Sequence, residues 1–445
     1  MTISPPGLRH TLRLEADRAL LYDRVAHQYF PLSAGEAFLC TAAAEVGLDE
    51  ATRMLAEKIG EEDAAEFRAQ LEDEGAIDQN GFTGRLLEQR DIKGAYAAPL
   101  VCHLGVTLAC NFACNHCYSS SGQRAKDELT LDDIKRLVDQ LVDIGCMKLV
   151  LGGGEPFLRK ELPDIVAYAD SRGVDCFVHT NASLVRAEVL ERLAKTPPAS
   201  LAVSLDGPDA HTNDRVRGPR AFDKTMKGLE VLRAHWPHGF NLSVTITPEN
   251  ADLTPRLVAL AKEQGAKVLL LRPAYPAGEA MKDTSLICDR ETFARAIDLA
   301  RPEAERLGVT LDAPHPHEQG VPDFDGFGCV AARVVLGVDP RGNVTPCLNL
   351  PGGFDSGNIK EKKLSDLWKK GRGFVLLRAQ EPGPQCGTCK HYETCRGGCR
   401  VRSLYAENGL GGPDSWCHYE PREDVVPLKT PKHSPKRTKR TGAST

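Results

Sequence analysis

Six short apolar segments, at residues 99–109, 148–151, 175–179, 201–205, 240–247 and 267–272, alternate with stretches of helical periodicity. One such stretch opens on Thr130 with Asp133 three residues later, a variant of the capping box. Strands that alternate with helices pair in parallel, because each helix returns the chain to the side on which the next strand begins. The alternation sets the class as α/β and brings the loops that follow the strands to one end of the sheet. That end is where barrels of this class place their chemistry.

The loop after the first strand carries Cys110, Cys114 and Cys117 in a C-x3-C-x2-C run. Its short spacers let three sulfurs turn toward one point, and three thiolates suit an iron-sulfur cluster. A four-iron cluster has one iron per corner, so three ligands leave one iron open to a molecule that is not protein. A zinc knuckle and three unrelated buried cysteines are the plainer readings. Structural zinc wants four protein ligands, and only His103 or His116 could be drafted as the fourth.

With the ring of His116 just before its third thiol, the run resembles the signature of radical S-adenosylmethionine (SAM) enzymes. Gly152-Gly-Gly-Glu-Pro156, after the second strand, resembles the GGEP motif of the same family. The resemblance implies a TIM-like partial (βα)6 barrel over residues 96–318. It implies a catalytic 4Fe-4S cluster on Cys110, Cys114 and Cys117, with S-adenosyl-L-methionine at the open iron. SAM contacts carry over to His116, Gly153, Gly154 and Glu155, the last accepting a hydrogen bond from the methionine ammonium. They carry over also to Ser204 at the ribose and Arg217 at the carboxylate. For the glycine stretch the plainer reading is a turn; for Ser204 and Arg217 it is strand-end capping and a surface salt bridge. Asn181 and Asp206 are candidates for the substrate side.

Further along, Cys329, Cys347, Cys386, Cys389, Cys395, Cys399 and Cys417 form an ordered array. C-x2-C alone would suggest a zinc ribbon. The full array resembles the SPASM extension, which holds two auxiliary iron-sulfur clusters beside the barrel in radical SAM enzymes acting largely on peptides and proteins. The family pattern assigns Cys329, Cys347 and Cys399 to one cluster and Cys386, Cys389, Cys395 and Cys417 to the other. The first set is one short of four, so a non-cysteine ligand completes it or one iron is open. This domain is expected over residues 319–421.

Fifteen cysteines are an odd number, and no apolar export segment stands at the N-terminus. Clustered thiols in a reducing compartment point to metal ligation over disulfides, and to a cytoplasmic protein. Cys40, Cys102, Cys146, Cys176 and Cys288 stand apart and read as small core residues. A net charge of -5 gives no general pull toward nucleic acid or an anionic membrane. No segment reaches the roughly 18 apolar residues that span a bilayer.

Ahead of the barrel, residues 12–14, 20–22 and 28–32 read as short strands. Three helices follow: one capped by Ser33 with Glu36 as its capping-box partner, one over 48–59 and one over 64–74. Residues 80–98 read as a linker helix or loop. Leu20-Leu-Tyr-Asp23, Phe30-Pro-Leu-Ser33 and Asp73-Glu-Gly75 give residues 1–95 a resemblance to the PqqD-like peptide-recognition (RRE) domain, a winged-helix-like α+β module. A DNA-binding winged helix is the competing reading, but the segment is acidic and lacks a Lys/Arg stripe. Residues 422–445 are basic and rich in Pro, Thr and Ser, the composition of a disordered tail.

The resemblances imply a maturase that reductively cleaves SAM to a 5'-deoxyadenosyl radical and modifies a ribosomally synthesised peptide by hydrogen abstraction, as in a thioether or carbon-carbon crosslink. The precursor peptide is expected to bind the N-terminal domain, and a reductant such as flavodoxin or ferredoxin to supply the electron. Neither nucleic acid nor membrane is an expected partner. Two other classes share parts of the pattern: a radical SAM enzyme acting on a small molecule or tetrapyrrole precursor, and a non-catalytic zinc-binding interaction protein. The N-terminal module is expected to be separable, so that losing residues 1–90 would leave the iron content intact.

Overall fold

The computed structural model describes residues 9–15, 18–89, 92, 94–314, 316, 328–381, 383–407 and 409–422. The expected basic tail past residue 422 and the expected boundary at 318 and 319 lie outside these residues.

Strands β1 (His10–Leu14), β2 (Ala19–Asp23) and β3 (Gln28–Leu32) form an antiparallel meander. Helix α1 (Ala34–Val46) starts at the expected box: Ser33 Oγ accepts from the Glu36 N–H at 3.3 Å, and Glu36 Oε2 accepts from the Ser33 N–H at 2.7 Å. Helix α2 (Leu48–Ile59) covers the expected residues, whereas α3 (Glu61–Asp73) starts earlier than expected. Its extra turn is Glu61, Glu62 and Asp63, carboxylates favoured by the positive end of the helix dipole. After a small hairpin of β4 (Ile77–Asp78) and β5 (Gly81–Phe82), β6 (Arg85–Glu88) joins the sheet parallel to β1, in the order β3-β2-β1-β6. The linker expected over 80–98 thus holds a strand. Arg-Leu-Leu-Glu has no period of two, and the open edge of β1 decides its conformation. Leu12, Leu21, Leu39, Leu55 and Leu71 form the module's core.

Strands β7 (Val101–Thr107), β8 (Lys148–Gly153), β9 (Asp175–Thr180), β10 (Ser200–Ser204), β11 (Asn241–Ile246) and β12 (Val268–Pro273) lie side by side in parallel and in chain order. Each lies within two residues of its expected ends. Helices α4 (Leu131–Asp143), α5 (Leu162–Ser171), α6 (Ala187–Leu193), α7 (Ala210–Arg217), α8 (Ala221–His235), α9 (Thr254–Gln264) and α10 (Arg290–Leu307) lie between or after them. The Thr130 cap is formed, its Oγ1 accepting from the Asp133 N–H at 3.1 Å. Leu149, Val178, Val203, Val244 and Leu271 belong to the main core of the barrel. The alternate residues His103, Val150, His179, Ser204, Ser243, Thr245 and Arg272 line the interior cavity. Barrels usually fill that space with Val, Ile and Leu. Here that space is an open cavity lined by polar and apolar side chains together.

Three further strands, on the barrel sheet, were not expected. Short β13 (Thr310–Asp312) extends the sheet beyond β12, β14 (Val335–Val338) returns to pair in parallel with β7, and β15 (Val344–Thr345) closes that edge antiparallel. The two edges stay apart in a linear strand order, the open form of the barrel. Beyond it the described residues form short helices, α11 (Leu364–Lys370), α12 (Arg372–Ala379), α13 (Pro384–Gly387), α14 (Tyr392–Cys395) and α15 (Arg400–Tyr405). Trp368 seats this region, its Nε1–H donating to the Tyr96 carbonyl at 3.1 Å while the Arg378 guanidinium lies 4.4 Å over its ring.

The N-terminal module is built into the barrel floor and is not a separable bead. Arg13 is fully buried; it pairs with Glu15 and donates to the carbonyls of Ala98 at 2.9 Å and Pro99 at 3.2 Å. The Tyr29 hydroxyl accepts from the Met147 N–H at 2.9 Å, and the Tyr22 hydroxyl donates to Asp175. Leu20 shares a cluster with Tyr96, Leu100 and Val334. Losing residues 1–90 would strip these partners from the first barrel strands, which overturns the expectation that the module can be removed cleanly. Cys40, Cys102, Cys146, Cys176 and Cys288 are all buried, as expected of core residues. Among the described residues no helix is long and apolar enough to cross a membrane.

Candidate active site

The thiol loop leaves β7 at Thr107 and folds back on itself, the Cys110 N–H donating to the Gly122 carbonyl at 2.9 Å and the Gly122 N–H to the Leu108 carbonyl at 2.8 Å. Glu128 clamps its root. One carboxylate oxygen accepts from the Leu108 N–H at 2.8 Å and from the Ala125 N–H at 3.1 Å, and the other from the Thr107 hydroxyl at 3.0 Å. Nothing in the sequence near Glu128 singles it out. The middle of the loop is pinned by Asn115, whose N–H donates to the Val216 carbonyl at 2.8 Å. Burial pushes the Cys110 thiol up and the Cys114 thiol up to about 12, against the pull of Arg217 on the latter. These two thiols are therefore held in the protonated form, and a cluster must displace their protons to bind.

Asp206 organises the loop from beneath. It is wholly buried, with His116 Nε2 and Arg217 Nε each 2.6 Å from Oδ2, and its Oδ1 accepts from the Thr245 N–H at 2.7 Å. Burial works to raise its pKa, yet Arg217 and then His116 outweigh it and hold the carboxyl well below the usual carboxylate range. Asp206 was expected on the substrate side; its oxygens are instead taken up holding His116 and Arg217. The surface salt bridge considered for Arg217 is corrected as well, since both partners are buried.

The glycine stretch meets the loop backbone to backbone. Gly154 donates to the Thr107 carbonyl and Glu155 to the Ala109 carbonyl, each at 2.8 Å, and a Cβ on Gly154 would stand 2.0 Å from the Ala109 oxygen. Gly153 adopts φ 104°, where only glycine rests without strain. Gly152 alone is open, a Cβ there meeting nothing nearer than the Tyr118 hydroxyl at 3.7 Å. Glu155 is buried and accepts from the Thr180 hydroxyl at 2.7 Å, the Asn181 N–H at 2.8 Å and the Phe157 N–H at 3.0 Å. These bonds tie the end of β8 to the end of β9, a task the motif did not reveal. A carboxylate has about four acceptor positions, so one is left for a ligand.

Cys110, Cys114 and Cys117 open onto a cavity of about 530 Å³, with His116, Gly153, Gly154, Glu155, Asn181, Ser204 and Arg217 on its wall. Cys329, Cys347 and Cys399 face the same cavity from the C-terminal region. Cys386, Cys389, Cys395 and Cys417 line a separate pocket of about 30 Å³. The two sets of C-terminal thiols thus line two different spaces. Asp414 stands between the two sets, its Oδ2 accepting from the Cys399 N–H at 2.7 Å, and Arg402 pairs with it at 2.7 Å while lying 3.9 Å over the Trp416 ring. A Cβ on Gly328 would meet the Cys395 carbonyl at 2.1 Å, so the approach to the first set also depends on glycine. Among the described residues no three His, Cys, Asp or Glu side chains converge closely enough to hold a single metal ion. The sulfurs line spaces, and a donor set of thiols fits iron-sulfur clusters.

Residues 104–261 match the radical SAM superfamily and residues 329–396 the SPASM iron-sulfur cluster-binding domain. The chain is 32% identical over 360 residues to the mycofactocin maturase MftC of Mycobacterium tuberculosis, covering 79% of this chain and 92% of that protein. It is 28% identical over 340 residues to an AdoMet-dependent heme synthase of Nitratidesulfovibrio vulgaris, covering 71% and 91%. Its fold is that of Streptococcus suis SuiB in complex with its precursor peptide SuiA, at TM-score 0.72 and 19% identity over 93% of this chain and 99% of that one. The chain belongs to the radical SAM superfamily, as a SPASM-bearing enzyme whose cofactors are a SAM-binding 4Fe-4S cluster, S-adenosyl-L-methionine and two auxiliary iron-sulfur clusters.

Proposed function

We propose that this enzyme is a maturase that abstracts hydrogen from a ribosomally synthesised peptide delivered by its N-terminal module. The observation that carries the reading is the edge of the small sheet. β3 ends that sheet and pairs only with β2 among the described residues, so an extended leader can add to it as a further strand, main chain to main chain. The same strand sends the Tyr29 hydroxyl to the start of β8. A captured leader is therefore held against the barrel, and the tethered core reaches the cavity at raised effective concentration. The 32% identical relative is named a maturase, which agrees with a peptide substrate.

In this reading Cys110, Cys114 and Cys117 hold the 4Fe-4S cluster; Gly153, Gly154, Glu155, Ser204 and Arg217 hold SAM; and His116 is a further contact. Cluster and SAM together supply one-electron reductive cleavage and a hydrogen-abstracting radical. The chain's own residues orient and enclose. Asp206 fixes Arg217, the glycines bring β8 against the loop, and Glu155 keeps two strand ends in register. Cys329, Cys347 and Cys399 hold the auxiliary cluster that shares the cavity, and Cys386, Cys389, Cys395 and Cys417 hold the outer one. We assign residues 1–95 to recognition, 96–318 to the barrel, 319–421 to the auxiliary clusters and 422–445 to a tail. A cytoplasmic location and a flavodoxin or ferredoxin as reductant complete the proposal.

A tetrapyrrole or other small-molecule substrate is the second reading, favoured by the heme synthase relative. Comparing a leader-bearing precursor peptide with its leaderless core on the full-length enzyme decides between them. The expected result is modification of the first and a large loss of kcat/KM on the second, restored in part by leader added in trans. Equal modification of both would remove the recognition role. No modification of either, with turnover of a tetrapyrrole, would transfer the chain to the second reading.

A further inference from the structure

An ion pair stands between the two C-terminal thiol sets. Asp414 Oδ1 and Oδ2 each accept from the Arg402 guanidinium at 2.7 Å, and the two side chains are 7% and 14% exposed. The Asp414 carboxylate holds one thiol residue of the cavity set, accepting from the Cys399 N–H at 2.7 Å. Its main-chain carbonyl holds one of the outer set, accepting from the Cys417 N–H at 2.9 Å. So close an approach needs glycine: a Cβ on Gly398, which adopts φ 69°, would stand 2.5 Å from Asp414 Oδ2. The pair also has a direction. Asp414 lines the outer pocket with Cys386, Cys389, Cys395 and Cys417. The Arg402 guanidinium lies 3.9 Å over the Trp416 ring and 5.8 Å over that of Tyr275, and Tyr275 lines the cavity that Cys329, Cys347 and Cys399 face. Trp416 is itself pinned, its Nε1–H donating to the Cys288 carbonyl at 3.1 Å. The anionic end of the pair therefore faces one thiol set, and the cationic end leans toward the other.

We propose that Asp414 and Arg402 form a fixed dipole that biases an electron toward the auxiliary cluster on the cavity and away from the outer one. The proposal rests on the assignment of the two thiol sets to two clusters made above, and not on the peptide reading. Reduction adds negative charge to a cluster, so a nearby cation favours it and a nearby anion opposes it; charge around the ligands is one of the levers that set a cluster's potential. Both side chains are largely buried, so salt screens little of their field. The thiols register the same field. Burial pushes Cys399 up to about 11, and Arg402 is the first charge to oppose it; at Cys395, likewise pushed up by burial, Asp414 adds to the rise. Arg333 interacts with Cys329, a second cation on the cavity side. Arg400 lines the cavity and also opposes the upward push of burial on Cys386, so it serves both sets. One electron shared between the two clusters therefore settles on the one beside the thiol loop.

Potentiometric titration of the reconstituted full-length protein with dithionite, followed by electron paramagnetic resonance without SAM or peptide, tests the dipole. Each signal is assigned by its loss from a chain in which one thiol set is replaced by Ala. In the unaltered protein the cavity cluster is expected to be reduced before the outer one. Arg402→Gln removes the cation and should lower the potential, most at the cavity cluster. Asp414→Asn keeps an acceptor for the Cys399 N–H, removes the anion and should raise the potential, most at the outer cluster. The expected shift is about tenfold in the ratio of reduced to oxidised cluster at a fixed potential, or about 59 mV for a one-electron couple. Shifts of opposite sign that narrow the same gap are what a dipole requires and what a loss of packing does not produce. Arg402→Lys keeps the charge and should restore most of the gap. Shifts of the same sign in both charge variants, or a gap that neither changes, overturn the proposal. If a variant does not assemble both clusters, the order in the unaltered chain decides, and an outer cluster reduced first is the contrary result. A chain that kept both auxiliary signals after Cys386, Cys389, Cys395 and Cys417 were replaced would overturn the assignment of the thiols, and the dipole with it.

Discussion

Cys110, Cys114 and Cys117 sit on one loop, whereas Cys329, Cys347 and Cys399 come from three distant stretches, yet both sets face one cavity. The first set is local in sequence, but its position depends on side chains far along the chain. His116 meets Asp206 ninety positions later, and Glu128 holds the loop root. The second set is remote in sequence and is carried into place by β14 pairing with β7 and by the Asp414 carboxylate, which accepts from the Cys399 N–H and pairs with Arg402. The thiol loop is braced by the buried charges around Asp206, whereas the second set is placed by strand pairing together with the Asp414–Arg402 pair. Substitutions should therefore separate the two regions by mechanism.

The largest expected effect is at the thiols themselves. Replacing Cys110, Cys114 and Cys117 together by Ala should remove roughly a third of the iron and all SAM cleavage. Replacing Cys386, Cys389, Cys395 and Cys417 should remove a similar share of iron and leave SAM cleavage measurable. Iron analysis with 5'-deoxyadenosine assays on both variants checks the contrast, and SAM cleavage by the first variant would break it.

Next is Gly154→Ala, whose Cβ would stand 2.0 Å from the Ala109 oxygen. Overpacking of this kind costs about 1–3 kcal/mol or more, and here it should displace the thiol loop, lowering both Tm and iron occupancy at that loop. Gly152→Ala, with 3.7 Å to its nearest neighbour, is the control and should fold normally.

Asp206→Asn follows, because it leaves Arg217 and His116 without their counter-charge, a loss of about 3 kcal/mol for one member of a buried pair. Its pH dependence has a definite sign. The folded pKa is depressed, so the stabilisation is complete above the unfolded value of about 4 and disappears as pH falls through the folded value. Denaturant melts of the metal-free wild type and variant should differ by a constant amount from neutral pH to about 5 and converge only in stronger acid. A gap that closed near neutral pH would remove Asp206 as the brace.

The smallest effect is expected at Glu155→Gln. The amide oxygen keeps some of the three donors and loses the charge, costing about 1.5–3 kcal/mol for a hydrogen bond to a charged group. Melting temperature should fall together with SAM affinity while iron content holds. Unchanged SAM affinity would leave Glu155 as a tie between β8 and β9 only.

The six barrel strands and the two capping boxes were legible in the sequence because each is signalled by neighbouring residues. β6 and β14 were not, since their pairing is decided by the open edges of β1 and β7 and not by their own pattern. Asp206 was visible as a residue at a strand end but not as a brace, because its partners are remote in sequence. The polar inward face of β11 could have been read. In β11, Leu242, Val244 and Ile246 are buried in the core, and the alternate Ser243 and Thr245 face the cavity, so a period of two places polar residues inward where a filled barrel would have apolar ones.

The central claim is that one cavity brings a radical-generating thiol loop to a peptide, and hydrogen transfer tests it most directly. The full-length holoenzyme is incubated anaerobically with SAM, reductant and a deuterated leader-bearing precursor peptide, such as one encoded in a neighbouring short reading frame. Deuterium in the 5'-deoxyadenosine, with a matching mass change confined to one segment of the peptide, is the predicted result. Unlabelled 5'-deoxyadenosine beside an unaltered peptide would contradict it.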